Sequence, residues 1–194
     1  LGGGGYNNTS STNDVWWTAD GSTWYCATTS AAWSTRFSPA SVVHDGKMWI
    51  MGGHVGNAVR GLNDVWYSSN GIDWFSASVN APWSPRNSFS SISFAGNICL
   101  AGGWDDRNVA CSDVWTSSDG ATWTQKTLGT HWSGRFNIDM VVHNNALWVM
   151  GGGFVDYKDV TYVYYNDVWR SDDGATWVPI RKTTVPIAPI IGTF

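Results

Sequence analysis

Two stretches hold the residues best suited to chemistry. Trp104-Asp105-Asp106-Arg107-Asn108 sets an aromatic ring beside two carboxylates and a guanidinium. Asp156, Tyr157, Lys158, Asp159, Tyr162, Tyr164 and Tyr165 form a Tyr- and Asp-rich insertion. Aromatic faces combined with planar hydrogen-bonding groups are what a sugar ring or a peptide anchor uses. His54, which follows a diglycine, is a further candidate. The candidate binding set is therefore His54, Trp104, Asp105, Asp106, Arg107, Asp156, Tyr157, Tyr162 and Tyr164. His44, His131 and His143 complete the histidines, and no two of the four have metal-ligand spacing, so no metal site or cofactor is expected. The chain has no Gly-x-Ser-x-Gly, no phosphate loop and no isolated Cys/His pairing, so no catalytic residue is assigned.

The elements that must carry these residues are set by a repeat. Asn/Ser-Asp-Val-Trp occurs at Asn13–Trp16, Asn63–Trp66, Ser112–Trp115 and Asn166–Trp169, with steps of 50, 49 and 54 residues between Asp14, Asp64, Asp113 and Asp167. A fixed period near fifty means one supersecondary unit copied along the chain. Each tetrad is followed by Asp-Gly or Asn-Gly and then a second Trp (Trp24, Trp74, Trp123, Trp177). That pattern reads as a tight hairpin with positive φ at its turn, the Thr-Trp or Asp-Trp opening the partner strand. Further on come Trp33-Ser34-Thr35-Arg36, Trp83-Ser84-Pro85-Arg86 and Trp132-Ser133-Gly134-Arg135. Two short apolar runs follow each, ending at Gly52-Gly53, Gly102-Gly103 and Gly151-Gly152. The second run is apolar on both faces (Met48, Trp49, Ile50, Met51), which suits an inner strand covered on both sides.

One period thus holds four short antiparallel strands and no helical pattern, the make-up of a propeller blade. A double Gly closing strand two, Asn-Asp-Val-Trp opening strand three, a Trp on strand four and an Arg before the next strand one resemble the kelch repeat. The resemblance covers residues 1 to about 180 and implies an all-β, kelch-type propeller. Ser117–Trp123 and Ser171–Trp177 also resemble the Asp-box hairpin of sialidase-type propellers, one residue shorter between Asp and Gly. The resemblance further implies that the strand two–three and four–one loops share the binding face. The recurrence of Arg36, Arg86 and Arg135 in every blade marks a structural contact, bridging blades through a tetrad Asp, and not a carboxylate-binding triad. Asp14, Asp64, Asp113 and Asp167 are read likewise, with their carboxylates accepting loop N–H groups.

The blades expected are a half blade at 1–36, full blades at 37–86, 87–135 and 136–180, and a tail at 181–194: about 3.5 blades. Closed propellers have roughly four to eight, and an open arc leaves apolar faces in water. Two closures follow: further blades of the same chain, or a second copy. Formal net charge is −4, with 13% of residues charged and no basic run, which argues against nucleic acid as partner. No apolar stretch approaches the eighteen residues of a membrane span. The 15 Trp are mostly accounted for by the repeat; only Trp17 and Trp104 fall outside it. Cys99 replaces Trp49 and Trp148 on an inner strand and reads as a buried thiol, a Cys99–Cys111 bridge within one blade is the alternative, and the disulfide state of Cys26, Cys99 and Cys111 is left open. Asn7-Asn8-Thr9 matches a glycosylation sequon, and with few Lys and abundant Ser, Thr and Asn it points to a secreted or cell-surface protein.

The function expected is a non-catalytic binding module that recognises a protein segment or a glycan through one propeller face. Two alternatives stand beside it: part of a carbohydrate-active propeller enzyme of sialidase or galactose-oxidase type, or a structural subunit of an extracellular assembly. The galactose-oxidase copper site needs a Tyr cross-linked to Cys, a further Tyr and two His, and no such set can be assembled around Cys26, Cys99 or Cys111.

Overall fold

The structure, a computed structural model, describes residues 11–56, 61–127, 131–156 and 161–180. Tyr157, Lys158, Asp159, the Asn7 sequon and the tail at 181–194 lie outside these residues. Among the described residues every regular element is a strand. In chain order they are β1 (Val15–Trp17), β2 (Tyr25–Thr28), β3 (Ala40–His44), β4 (Lys47–Met51), β5 (Val65–Ser68), β6 (Phe75–Ser78) and β7 (Arg86–Asn87). Then come β8 (Ser90–Phe94), β9 (Asn97–Ala101), β10 (Trp104–Asp105), β11 (Val114–Ser117) and β12 (Thr124–Gln125). The last are β13 (Asp139–His143), β14 (Ala146–Met150), β15 (Gly153–Asp156), β16 (Thr161–Tyr164), β17 (Val168–Ser171) and β18 (Val178–Pro179).

Three four-stranded antiparallel sheets, β3-β4-β5-β6, β8-β9-β11-β12 and β13-β14-β17-β18, are joined by a two-stranded one, β1-β2. Strand order follows chain order in each, as blades of short hairpins require. The period of the sequence and the period of the sheets coincide.

The first hairpin of each blade turns in two residues: Asp45-Gly46, Ala95-Gly96 and Asn144-Asn145, all six with positive φ. Paired positive φ matches the right-handed twist of the flanking strands and favours Asn, Asp or Gly. Ala95, at φ 47, meets that requirement with a Cβ in the way.

The hairpin between strands three and four is built differently from the tight turn the sequence suggests. Gly21, Gly71, Gly120 and Gly174 have positive φ but the preceding Asp or Asn does not. Instead the Asp20 carboxylate accepts the Ser22 and Thr23 N–H groups at 2.9 and 2.8 Å, and Thr18 Oγ1 accepts that of Gly21. Asn70, Asp119 and Asp173 do the same in the other blades. These N–H bonds hold the Asp119 and Asp173 carboxyls below their ordinary range. Because the loop is wider, strand four starts one residue after the Trp. The Trp folds under the turn, where Trp74, Trp123 and Trp177 donate their indole N–H to the Gly carbonyl.

The core lies between sheets. Val15, Ala31 and Trp33 meet Ile50 and Trp74 at the first seam; Trp49, Met51 and Trp83 meet Leu100 and Trp123 at the second; Cys99, Val114 and Trp132 meet Leu147, Val149 and Trp177 at the third. At each, the link Trp (Trp33, Trp83, Trp132) stands edge-on to the Trp under the next turn, at interplanar angles of 88°, 84° and 87°. Gly120 sits so close to the Trp49 ring that a Cβ there would lie 2.2 Å from it.

Replacing Ala95 with Asn, an exposed change at a left-handed turn position, raises stability by about 0.5–1 kcal/mol. It shows as a higher urea midpoint at unchanged slope. Gly120→Ala lowers the midpoint, because the methyl meets both Trp49 and an unfavourable φ.

Candidate functional site

The scaffold of the loop face is one repeated node. Arg36 donates from Nη1 and Nη2 to both oxygens of Asp64 at 2.8 Å each, and from Nη1 to the Gly52 carbonyl. Arg86 holds Asp113 and Gly102 in the same way, and Arg135 holds Asp167 and Gly151. All three guanidinium groups are buried. The tetrad Trp completes each node, donating its indole N–H to the Asp at 2.7 Å. The Asp partners are thus a guanidinium and an indole, whereas the loop is tied down by Asn13 and Asn63, which donate to Ala31, Trp33, Ala81 and Trp83 carbonyls. Burial alone would raise the Asp113 and Asp167 carboxyls; their Arg and Trp partners outweigh it and hold both below the ordinary carboxylate value.

Above the nodes, the residue after each Arg pairs with the residue after each diglycine. Phe37 bridges His54, Asn87 pairs with Trp104 in β7–β10, and Phe136 bridges Gly153. The strand four–one and two–three connections therefore rise together on one face. What these positions hold differs from blade to blade: a His54–Phe37 stack at 5.3 Å, and a Trp104 ring edge-on to Phe136 at 5.2 Å. Burial lowers the His54 imidazole below its ordinary value.

Trp104 is the centre of the site. It lines two hollows, of about 440 and 300 Å³, which also share Val155. The larger is walled by Asn108, Val109, Ser133, Phe154 and Tyr165, the smaller by Asn87, Ser88, Phe136, Asn137 and Tyr162. The result is one continuous groove of aromatic rings and uncharged polar groups across the third and fourth blades. The Arg135 guanidinium lies over the Tyr165 ring at 4.0 Å, which ties the groove wall to the node beneath.

Of the residues singled out from sequence, Trp104 and Tyr162 meet in this groove. Tyr164 stacks on Tyr162 and is half-exposed beside it. His54 sits one seam away. Asp106 and Arg107 are exposed on the loop but line neither hollow. Asp105 must be removed from the ligand-facing set: it is fully buried, and its carboxylate accepts the backbone N–H groups of Arg107 and Val109 plus the Arg107 side chain. Its partners shape the loop. Asp156 ends β15, and the described parts of the insertion, on either side of 157–160, pair as the antiparallel strands β15 and β16. The alternation Thr161-Tyr162-Val163-Tyr164 was the available signal for that strand. Phe136 and Phe154 were missed as wall residues and Tyr165 was named only within the insertion, although Phe136 repeats the place of Phe37 after the link Arg, which was the available signal. The three cysteines are free, Cys99 and Cys111 buried and Cys26 exposed, and burial pushes the Cys99 thiol up to about 11.

Residues 35–67 match the sequence profile of the Kelch motif. They begin just before the Arg36 node and end within β5, so the match spans the diglycine and tetrad of one blade, and the other sheets repeat that blade's topology. The matched segment carries a kelch motif, and the three four-stranded sheets have the make-up of kelch blades. No curated protein matches it.

The repeated Arg–Asp node makes two measurable demands. Asp113→Asn leaves the buried Arg86 guanidinium short of an anion and lowers stability by about 3 kcal/mol, read from urea unfolding. Asp113 and Asp167 have depressed folded values, so their stabilisation is full above the unfolded carboxylate value near 3.8 and is lost as pH falls through the lower folded values. Near-UV circular dichroism shows tertiary structure lost only below about pH 4, and Asp113→Asn makes that acid dependence shallower.

Proposed function

We propose that this protein is a non-catalytic binding module that takes an extended protein segment in the groove centred on Trp104. Kelch repeats are in general protein-interaction modules, and one observation extends that to this groove. Two hollows share Trp104 and Val155, so neighbouring side chains of one extended segment can seat on either side of the Trp104 ring. Its walls offer rings for apolar anchors and Asn and Ser groups for a peptide backbone. The non-catalytic reading is supported by Asp105, which is committed to its own loop and leaves Asp106 without a carboxylate partner on the groove.

A glycan is the second reading, favoured by the uncharged lining, in which Trp104, Phe136 and Tyr162 stand among Asn87, Asn108 and Asn137. Stacking on rings with amide hydrogen bonds serves a neutral sugar as well as a peptide.

Panning a displayed peptide library on the protein separates the two. Peptides recovered this way lose at least tenfold in affinity against Trp104→Ala and Tyr162→Ala, while both variants keep the parental melting transition. Retained binding by both variants removes the groove from the site. Glycan-array binding sensitive to Trp104→Ala, with no peptide recovered, transfers the function to the second reading.

A further inference from the structure

The last blade carries a strand edge that the rest of the fold does not use. Gly153 and Phe136 exchange both of their backbone bonds, the Gly153 N–H donating to the Phe136 carbonyl at 3.1 Å and the Phe136 N–H to the Gly153 carbonyl at 2.8 Å. Gly153 therefore turns its donor and acceptor away from β16, although Tyr164 stands opposite it. One step along the ladder, Tyr165 donates to the Gly152 carbonyl at 2.8 Å. Antiparallel ladders alternate pairs that exchange bonds with pairs that do not. Thr161 and Val163 accordingly bond to β15, while Tyr162 and Tyr164 point their N–H and C=O groups to the far side. Among the described residues β16 pairs only with β15, so those backbone groups have no ladder partner there.

Edge strands are normally blunted by Lys, Pro or a bulge. Thr161-Tyr162-Val163-Tyr164 has no Lys, no Pro and no charge, and its register against β15 runs without a shift. The two residues with open backbone groups also carry the rings. Tyr162 and Tyr164 lie on one face, stacked at 6.4 Å and 12°, and are 36% and 50% exposed. Tyr162 walls the smaller hollow as well, so edge and groove are continuous. We infer that β16 is a docking edge for an extended polypeptide segment, added as a third strand beside β15 and β16. Its residues i and i+2 would exchange backbone bonds with Tyr162 and Tyr164. Their side chains, uncharged and aromatic or β-branched, would pack on the two Tyr rings. The inference rests on the proposed reading of the occupant as a protein segment and adds how its main chain is held. A sugar chain has no alternating N–H and C=O groups to match this edge. A second copy is a poor occupant on size: a stable interface takes about 800 Å² from each partner, more than one four-residue strand offers.

The probe is the tightest-binding peptide from the displayed library, resynthesised with one backbone amide N-methylated at a time and titrated against the intact protein. Methylation at two positions, two residues apart, weakens binding about tenfold or more, whereas methylation of the residue between them changes it by less than about twofold. On the protein, Tyr164→Pro removes an N–H that β15 does not use, so the melting transition is kept. Binding to Tyr164→Pro falls about tenfold below binding to Tyr164→Ala, which loses only the ring. Binding that Trp104→Ala abolishes, with no two-residue methylation period and no difference between Tyr164→Pro and Tyr164→Ala, overturns the edge and leaves the groove standing. Binding that shows the period and the Tyr164→Pro loss but ignores Trp104→Ala upholds the edge and removes the groove. Recovery of no peptide at all overturns both. A dimer in sedimentation that Tyr164→Pro dissociates overturns the choice of occupant, since a second copy would then hold the edge.

Discussion

A buried arginine joining two blades by its two ends is the interaction on which the rest of this structure hangs. The side chain of Arg86 reaches into the blade that follows, drawing the Gly102 carbonyl and the Asp113 carboxylate to one guanidinium. Its backbone carbonyl meanwhile accepts the Gly53 N–H of the blade that Arg86 ends, at 2.9 Å. Arg135 does the same for Gly103. A planar donor fork with five N–H groups can satisfy a carboxylate and two carbonyls at once, which a lysine cannot. Burying that charge is costly unless it is fully paired, and the pairing explains why diglycine, tetrad and link recur together.

The node also dictates where glycine is needed. A Cβ at Gly52 would lie 2.6 Å from the Phe89 ring and 2.9 Å from the Arg86 carbonyl, and one at Gly53 would lie 2.7 Å from the Phe37 carbonyl. The backbone of strand two must pass this close for its carbonyl to reach the guanidinium. Side chains return only past the diglycine, at His54 and Trp104, and in the last blade one residue later at Phe154, and there they are free to differ. Scaffold and recognition are thus separated by one residue: chain up to the second Gly serves the seam, and chain after it serves the loop face.

That separation accounts for the character of the groove. Its walls come from positions the seam does not constrain, so the fourth blade can extend its connection into the β15–β16 hairpin without disturbing Asp167. One wall is anchored to the seam because the Arg135 guanidinium lies over the Tyr165 ring. A binding surface resting on a fully bonded ion pair keeps its shape before any ligand arrives, which lowers the ordering cost of binding.

The repeat made the blade legible from the chain alone. Spacing of the tetrads, diglycines and Trp-Ser-x-Arg links determined strand number, order and pairing, because each is a local consequence of residue type and period. Even the structural character of Arg36, Arg86 and Arg135 followed from their recurrence. What lay beyond the sequence was which side chains face one another across a seam or across a groove. Asp105 and Asp106 are neighbours in the chain, yet only the fold turns the first inward to cap its loop and the second out to solvent. Phe136, Phe154 and Tyr165 became one wall with Trp104 because two blades bring them together over a long sequence distance, and no local pattern encodes that approach. Periodicity reports the contacts that every blade repeats; only tertiary packing decides the ones that a single blade makes once.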